Sequence, residues 1–256
     1  MAKQFDVVVI GGGLVGASCA LSIAKINPSI NIAVVEASQV TDEYHPSFDD
    51  RSIALAQQSV EYLQTLNLFD QNAPYTSAIK KVSVSDRGHF GKTHIQSAEF
   101  SKPSLGYVVE VNPFGRALHQ RLVQSSISLF CPDSVIEIQQ TLHSNALTLQ
   151  SGEQLNAKLI IVADGAQSPT RQLLGLNFNT QPYEQGAIIA NIEVAEGHNN
   201  HAFERFTQHG PMALLPMSNN RYSLVWCMEK EQINSYMDLN EIEFLSALQS
   251  AFGYRA

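Results

Sequence analysis

Six residues near the amino terminus have the spacing of a phosphate-binding turn. The segment Gly11-Gly-Gly-Leu-Val-Gly16 follows an apolar run and precedes a run with helical character. In that context Gly11 permits a tight turn, Gly13 lets the backbone approach a pyrophosphate, and Gly16 lets helix and strand pack closely. The helix N-terminus would add backbone N–H groups and a positive dipole end. The motif therefore predicts a dinucleotide-binding site.

Two carboxylates are candidate partners of the same ligand. Glu36 ends the second apolar run, 20 residues after Gly16, where a carboxylate accepts hydrogen bonds from an adenosine ribose. An acid there disfavours a 2′-phosphorylated dinucleotide, because two negative charges would meet. Asp164, followed by Gly165, ends a later apolar run, and open α/β sheets bind ligands at the carboxyl ends of their strands. The pattern alone does not separate NAD from FAD.

Apolar runs alternate with helical patterns around these residues, which predicts an α/β layer. We expect a helix over 14–26, because Asn27-Pro28 stops it, and a second helix over 51–66. Asn112-Pro113 is typical of a helix N-cap and first helical residue, so a third helix is expected to begin there. The strands expected in this layer are 5–10, 30–36, 106–111 and 159–163, and the last is expected to be buried.

The sequence changes in character after Tyr183. Four strand candidates follow one another with turns between them, which predicts an antiparallel sheet. They are 187–194, 202–208, 212–216 and 222–228, and a helix is expected over 238–252. Tyr222, Leu224 and Trp226 share one face of the last strand, either as core or as the lining of a ligand site.

Composition excludes several classes of function. The chain has 256 residues, a net charge of −8 and no basic patch, which argues against nucleic-acid binding. Three scattered cysteines without a CxxC pair predict neither disulfides nor a metal site. The uncharged run 7–24 approaches the length of a membrane span, but its four glycines fit a strand, a turn and a helix better. We expect a soluble, cytoplasmic protein.

Several segments resemble the flavoprotein hydroxylases of the para-hydroxybenzoate hydroxylase type. The resemblance is carried by the stretch 6–16 with Glu36 and by the segments 50–55, 108–118 and 159–168. It implies FAD as the cofactor, reduced by NADH or NADPH. The residues that it implies as cofactor contacts are Gly11, Gly13, Gly16, Glu36, Arg51, Arg116, Asp164 and Gly165, with Arg51 at the start of the second helix.

The segments 202–217 and 223–227 narrow the resemblance to the ubiquinone-biosynthesis branch of this family. The branch implies hydroxylation of a polyprenylated methoxyphenol with O₂, and it assigns no catalytic side chain in this chain. A polyprenyl tail resides in a membrane, so the resemblance also implies a peripheral contact with the inner membrane or delivery by a biosynthetic complex.

The predicted fold class is α/β, a Rossmann-like FAD-binding domain with an interleaved antiparallel β-sheet substrate domain. Residues 1–76 and 101–175 are assigned to the FAD-binding domain, and residues 77–100 and 176–256 to the substrate domain.

The chain departs from this family in one respect. The family has a third fingerprint that contains a Gly-Asp pair, and Gly-Asp occurs nowhere in the sequence. We interpret the chain as truncated at its carboxyl end, and we expect it to be inactive as a hydroxylase by itself. Three alternatives stay open: an NAD-dependent dehydrogenase, a sister hydroxylase that acts on another ring carbon, and a non-catalytic scaffold of the biosynthetic complex.

Overall fold

The computed structural model describes residues 2–39, 51–142 and 144–253. The helices are α1 (Leu14–Ile26), α2 (Gln57–Thr65), α3 (Val111–Gln124), α4 (Pro169–Leu173), α5 (Lys230–Met237) and α6 (Glu241–Phe252). The strands are β1 (Lys3–Ile10), β2 (Ile32–Val35), β3 (Ser52–Ala56), β4 (Thr76–Ile79), β5 (Lys81–Asp86), β6 (Lys92–Gln96), β7 (Gly106–Glu110), β8 (Ser128–Phe130), β9 (Val135–Gln140), β10 (Asn145–Leu149), β11 (Gln154–Val162), β12 (Gln185–Glu193), β13 (His201–Phe206), β14 (Pro211–Pro216) and β15 (Arg221–Glu229). A short 3₁₀ helix covers Ser97–Phe100.

The chain divides into two compact units, residues 1–50 with 111–179 and residues 51–110 with 180–256. Each unit is therefore assembled from two separate stretches, as the interleaved fold class requires. The boundaries differ from the expected ones, because 51–76 and 101–110 fall in the second unit. The reason is that β3 and β4 both pair with β7, and Ile79 and Val108 pack with Ala202 and Met217 of the second unit.

The first unit is built on a six-stranded sheet in the order β8-β2-β1-β11-β10-β9. Strands β8, β2, β1 and β11 are parallel, and β10 and β9 continue from β11 as an antiparallel meander. The β-branched run Val7–Ile10 is buried, as expected of a central parallel strand. Helix α1 packs on β1 and β2 and also against α3. This arrangement places the glycine turn, which joins β1 to α1, at the carboxyl end of the sheet.

One expectation for this sheet is wrong. The segment 159–163 was expected to be buried, yet Leu159 is 53% and Val162 is 40% exposed. The pairing of β11 with β10 ends at Ala157. Beyond that residue β11 has β1 on one side and, within the described residues, no strand on the other.

The second unit contains two sheets. The larger has the order β12-β15-β14-β13-β5-β6, and the smaller is the antiparallel sheet β3-β7-β4. The four carboxyl-terminal strands are antiparallel to one another, but β13 pairs with β5 in parallel, so the sheet is mixed and not purely antiparallel. One face of this sheet packs with α6 through Trp226, Leu224 and Tyr222, all nearly inaccessible to solvent. These three residues are therefore core.

Three helix boundaries differ from the sequence-based expectations. Residues 52–56 form strand β3 because they pair with β7, and α2 begins only at Gln57, so Arg51 precedes a strand and does not begin a helix. Helix α3 begins at Val111, so Asn112-Pro113 lies within its first turn. The carboxyl-terminal helix is shorter than expected, since Asn240 caps α6 by accepting from the Glu243 N–H. The preceding α5 was not expected from the sequence.

Candidate cofactor site

The turn between β1 and α1 accepts only glycine at two positions. Gly11 has φ +99°, and a Cβ there would lie 2.5 Å from the Ala163 carbonyl oxygen. A Cβ on Gly16 would lie 1.8 Å from the Gly11 carbonyl oxygen. Since both clashes are with backbone atoms, no side-chain rotation relieves them. These residues let α1 begin directly against the ends of β1 and β11.

Gly13 is different, because its backbone does not require glycine. It is the N-cap of α1 with φ −65°, an ordinary value for any residue. Gly13 has no side chain that could cap the helix, so within the described residues its first N–H groups are available to a ligand or to water. A helix N-terminus of this kind favours an anionic group such as a phosphate.

Glu36 binds the glycine turn from the end of β2. The side chain is 7% exposed, and its Oε2 accepts a hydrogen bond of 2.6 Å from the Gly12 N–H. Its Oε1 accepts one of 2.7 Å from the Ser38 N–H. A carboxylate offers about four acceptor positions, so these bonds are compatible with further acceptance from ribose hydroxyls. Glu36 therefore has a structural role in the turn that the spacing alone did not predict.

Asp164 lies where β11 ends, beside the glycine turn. Its Oδ2 accepts a hydrogen bond of 3.0 Å from the Thr170 N–H at the start of α4. Its Oδ1 is buried and has no hydrogen-bond partner in the described part of the chain. A buried acceptor without a partner is costly, and a bound hydroxyl or N–H group would satisfy it. Gly165 follows with φ +91°, which turns the chain towards α4.

These elements enclose a crevice of about 420 Å³. It is lined by Gly11 and Gly13, the start of α1, Glu36 and residues 37–38, the segments 163–165 and 169–170, and Asp133–Val135. Five residues that the sequence singled out thus come together here: Gly11, Gly13, Glu36, Asp164 and Gly165. Gly16 lies behind the turn and supports it.

The segment 133–135 was missed by the sequence analysis. The Asp133 N–H donates to the Glu36 carbonyl oxygen at 2.8 Å, which joins this segment to the end of β2. Burial works against the Asp133 charge, but hydrogen bonds from Ser151 and from the N–H groups of Ser134, Ser151 and Gln150 hold the pKa of Asp133 below its usual value. The parallel pairing of β2 with β8 and this backbone hydrogen bond bring Asp133 to the crevice.

The two predicted arginines do not line this crevice. Arg116 is half-buried in α3 of the first unit, and Arg51 is exposed at the start of the second unit. Their role as cofactor contacts stays a prediction. Among the described residues no group of three His, Cys, Asp or Glu side chains converges in a way that could hold a metal ion.

The sequence matches the model of the FAD binding domain family over residues 4–256. The chain therefore belongs to this family of FAD-binding proteins.

Two proteins with similar sequences are longer than this chain. It is 30% identical over 252 residues to a ubiquinone hydroxylase, UbiL, of Rhodospirillum rubrum, covering 98% of this chain and 58% of the relative. It is 30% identical over 268 residues to the human mitochondrial ubiquinone biosynthesis monooxygenase COQ6, covering 97% of this chain and 56% of the relative. The chain thus spans somewhat more than half the length of these relatives.

A solved structure shares the fold. The Klebsiella pneumoniae protein HpxO, crystallised with FAD and uric acid, superposes with a TM-score of 0.72 at 16% identity, over 98% of this chain and 62% of HpxO.

The crevice fits the family's cofactor. An uncapped helix N-terminus suits the pyrophosphate, Glu36 suits the ribose, and the buried Asp164 Oδ1 lacks a donor that a cofactor would provide.

We expect Glu36→Ala to weaken FAD binding by roughly 10- to 100-fold, the equivalent of one charged hydrogen bond of ~1.5–3 kcal/mol. The measurement is a calorimetric titration of the chain with FAD. Glu36→Gln is the matched control: it keeps one side-chain oxygen acceptor, so its loss should be smaller. Equal FAD affinity in the wild type and Glu36→Ala would contradict the assignment.

Proposed function

We propose that the whole protein to which this chain belongs is an FAD-dependent monooxygenase. Its proposed substrate is a polyprenylated methoxyphenol of ubiquinone biosynthesis, and NADH or NADPH is the proposed electron donor. The observation that carries the proposal is the crevice of the first unit, where the glycine turn, Glu36 and Asp164 converge. Two relatives, a ubiquinone hydroxylase and a ubiquinone biosynthesis monooxygenase, supply the reaction class.

Different residues of the crevice are assigned to different parts of FAD. We assign the N–H groups at Gly13 and the start of α1 to the pyrophosphate, and Glu36 to the adenosine ribose. Asp164 Oδ1 would accept a hydrogen bond from the cofactor. Bound FAD supplies the electron transfer and the reaction with O₂ that no side chain can perform.

The proposed reaction consumes one NAD(P)H and one O₂ for each hydroxyl group that is formed. NAD(P)H gives up two electrons and the reaction takes up one further proton. One atom of O₂ replaces a hydrogen on the aromatic ring as a hydroxyl group, and the other leaves as water. The protein has to orient the ring, exclude water and favour the ionised phenol.

One face of the large sheet is a candidate surface for the ring, apart from the region where Ala202 packs with Ile79 and Val108. It is the face opposite Trp226, and one row across it consists of Val84, Glu204, Ala213, Val225 and Ile189. All five are partly or fully exposed. Four of them are apolar and one is a carboxyl, a pattern that suits an aromatic ring bearing one hydroxyl group.

Glu204 is the polar group of this row. Within the described chain it makes no hydrogen bond and no ion pair, and burial raises the pKa of its carboxyl. It is close enough to Cys227 that its charge adds to burial in raising the pKa of that thiol. We assign Glu204 to positioning the substrate hydroxyl.

We expect Glu204→Ala to lower kcat/KM of the whole protein about tenfold, below the ~100-fold typical of losing a general acid or base. Glu204→Gln should lose less, because its amide oxygen still accepts a hydrogen bond. Glu229→Gln removes an exposed acid of the same sheet and should change nothing. A loss above ~100-fold with normal FAD content would make Glu204 an acid–base catalyst instead.

The decisive experiment for the function is product analysis. The whole protein is incubated with FAD, NADH or NADPH, O₂ and 2-geranyl-6-methoxyphenol, a short-tailed probe. The proposal expects a product one oxygen atom heavier, with consumption of NAD(P)H. Oxidation of NAD(P)H without a hydroxylated product from this or another prenylated phenol would contradict it, and no oxidation at all would favour a scaffold. The position of the new hydroxyl separates this enzyme from sister hydroxylases.

A further inference from the structure

The hairpin that joins β5 to β6 carries an apolar residue at its tip. Residues 87–91 form the connection, and all of them are exposed. Phe90 is fully exposed, at 102% of its reference area. Gly88, at φ +88°, and Gly91 have nothing within 4 Å of the place where a Cβ would lie. The tip therefore projects away from the unit that carries it.

Charged groups flank this phenylalanine. Arg87 precedes it and Lys92 follows it, and neither side chain forms an ion pair in the described part of the chain. The neighbouring acid is Asp86, whose Oδ2 lies 2.8 Å from Nδ1 of His89. With the charge of Asp86 counted against those of Arg87 and Lys92, the tip carries a formal charge of +1 in a chain whose net charge is −8.

A second exposed aromatic residue lies at the base of the hairpin. The Arg87 N–H donates a hydrogen bond of 2.9 Å to the Phe206 carbonyl oxygen, and Phe206 is 49% exposed. Two aromatic side chains and two cationic side chains therefore lie at the same end of the neighbouring strands β13, β5 and β6. Exposed Phe side chains of interfacial segments insert at the boundary between headgroups and acyl chains, and Lys and Arg are attracted to anionic headgroups.

We propose that this hairpin tip, residues 86–92 with Phe206, is a contact with an anionic lipid bilayer, into which Phe90 inserts. The proposal rests on the proposed function, because a polyprenylated substrate resides in the membrane. None of the described helices is long and apolar enough to cross a bilayer.

The net negative charge of the chain does not prevent this contact. Charges more than about 8–10 Å apart are largely screened at physiological salt, whereas Arg87 and Lys92 would touch the headgroups. A single aromatic anchor with two cations gives weak, reversible binding and not a permanent anchor. Such binding suits an enzyme that exchanges substrate and product with the membrane.

The test is flotation of the 256-residue chain with vesicles of phosphatidylcholine and phosphatidylglycerol at 3:1, without FAD or phenol. We expect binding that falls as salt rises, and weaker binding to pure phosphatidylcholine. Phe90→Ser should lower the partition coefficient about tenfold, the value of burying one Phe side chain. Arg87→Gln with Lys92→Gln should lower it by a similar factor and remove most of the salt dependence.

Phe100→Ser is the matched control, since Phe100 is 59% exposed on the same unit but outside the tip. It should leave vesicle binding unchanged. Phe90→Trp gives a direct readout: its fluorescence should shift to shorter wavelength on vesicles and be quenched by brominated lipid. Absence of wild-type binding, or an equal loss in Phe100→Ser and Phe90→Ser, would overturn the proposal. The vesicle assay contains no substrate, so it tests the membrane contact independently of the reaction. If the protein binds vesicles but does not hydroxylate the phenol, the proposed function is refuted and the proposed membrane contact is not.

Discussion

Gly16→Ala is expected to destabilise the chain and to abolish FAD binding together. The new methyl group would lie 1.8 Å from the Gly11 carbonyl oxygen and 3.3 Å from the Ala163 Cβ. Over-packing usually costs ~1–3 kcal/mol, and this clash with fixed backbone belongs at or above that range. At roughly 2–4 °C per kcal/mol for a chain of this size, the unfolding midpoint should fall by about 6 °C or more. The turn can form only if α1 shifts, which removes its N-terminus from the crevice.

The measurements are thermal unfolding by circular dichroism and calorimetric titration with FAD. Gly91→Ala is the matched control, because a Cβ there meets nothing within 4 Å. It should change neither quantity. A Gly16→Ala variant with wild-type stability would show that the approach of α1 to the turn is looser than the structure has it.

The sequence was most informative where the local pattern and the tertiary structure require the same residues. Helix α1 begins and ends as expected, because the glycine turn precedes it and Asn27-Pro28 follows it. Strands β1 and β2 were recognisable because buried parallel strands are continuous apolar runs. The pair Ser168-Pro169 is typical of a helix start. In the structure Ser168 caps α4, and its Oγ accepts a hydrogen bond from the Arg171 N–H.

The failures occur where distant segments decide the local structure. Residues 52–56 have a helix-compatible pattern but pair with β7, about 50 residues later in the chain, and become a strand. The parallel pairing of His201 in β13 with Lys81 in β5 joins segments far apart in sequence, so the expected antiparallel sheet is mixed. The pairing of β3 with β7 also moves the boundary between the units.

In the candidate site, too, the residues given by local sequence were predictable and the contacts that depend on strand pairing were not. The types and spacing of Gly11, Gly13, Glu36 and Asp164 predicted a shared ligand site, and all four line one crevice. The bond from the Gly12 N–H to Glu36 could not be predicted, because it depends on how β1 and β2 pair. The contribution of Asp133 depends in the same way on the pairing of β2 with β8. The assignments of Arg51 and Arg116 come from resemblance alone and stay predictions.

Gly13→Val is expected to separate cofactor binding from folding. Gly13 lines the crevice and has φ −65°, so valine is compatible with its backbone and the fold should persist. The unfolding midpoint should stay within a few degrees of the wild type. The branched side chain would nevertheless project at the uncapped N-terminus of α1, where a phosphate would sit. Loss of two charged hydrogen bonds there would weaken FAD binding by roughly 10²–10⁴-fold.

Titration of the chain with FAD and with ADP tests this expectation, because ADP isolates the half of the cofactor that the turn is proposed to hold. Both affinities should fall by the same factor in Gly13→Val, and Gly13→Ala should lose less because its methyl group is smaller. Gly16→Ala should lose stability and binding together, whereas Gly13→Val should lose binding alone. If Gly13→Val binds ADP normally, the pyrophosphate lies elsewhere, and the glycine turn serves only to pack α1 against the sheet.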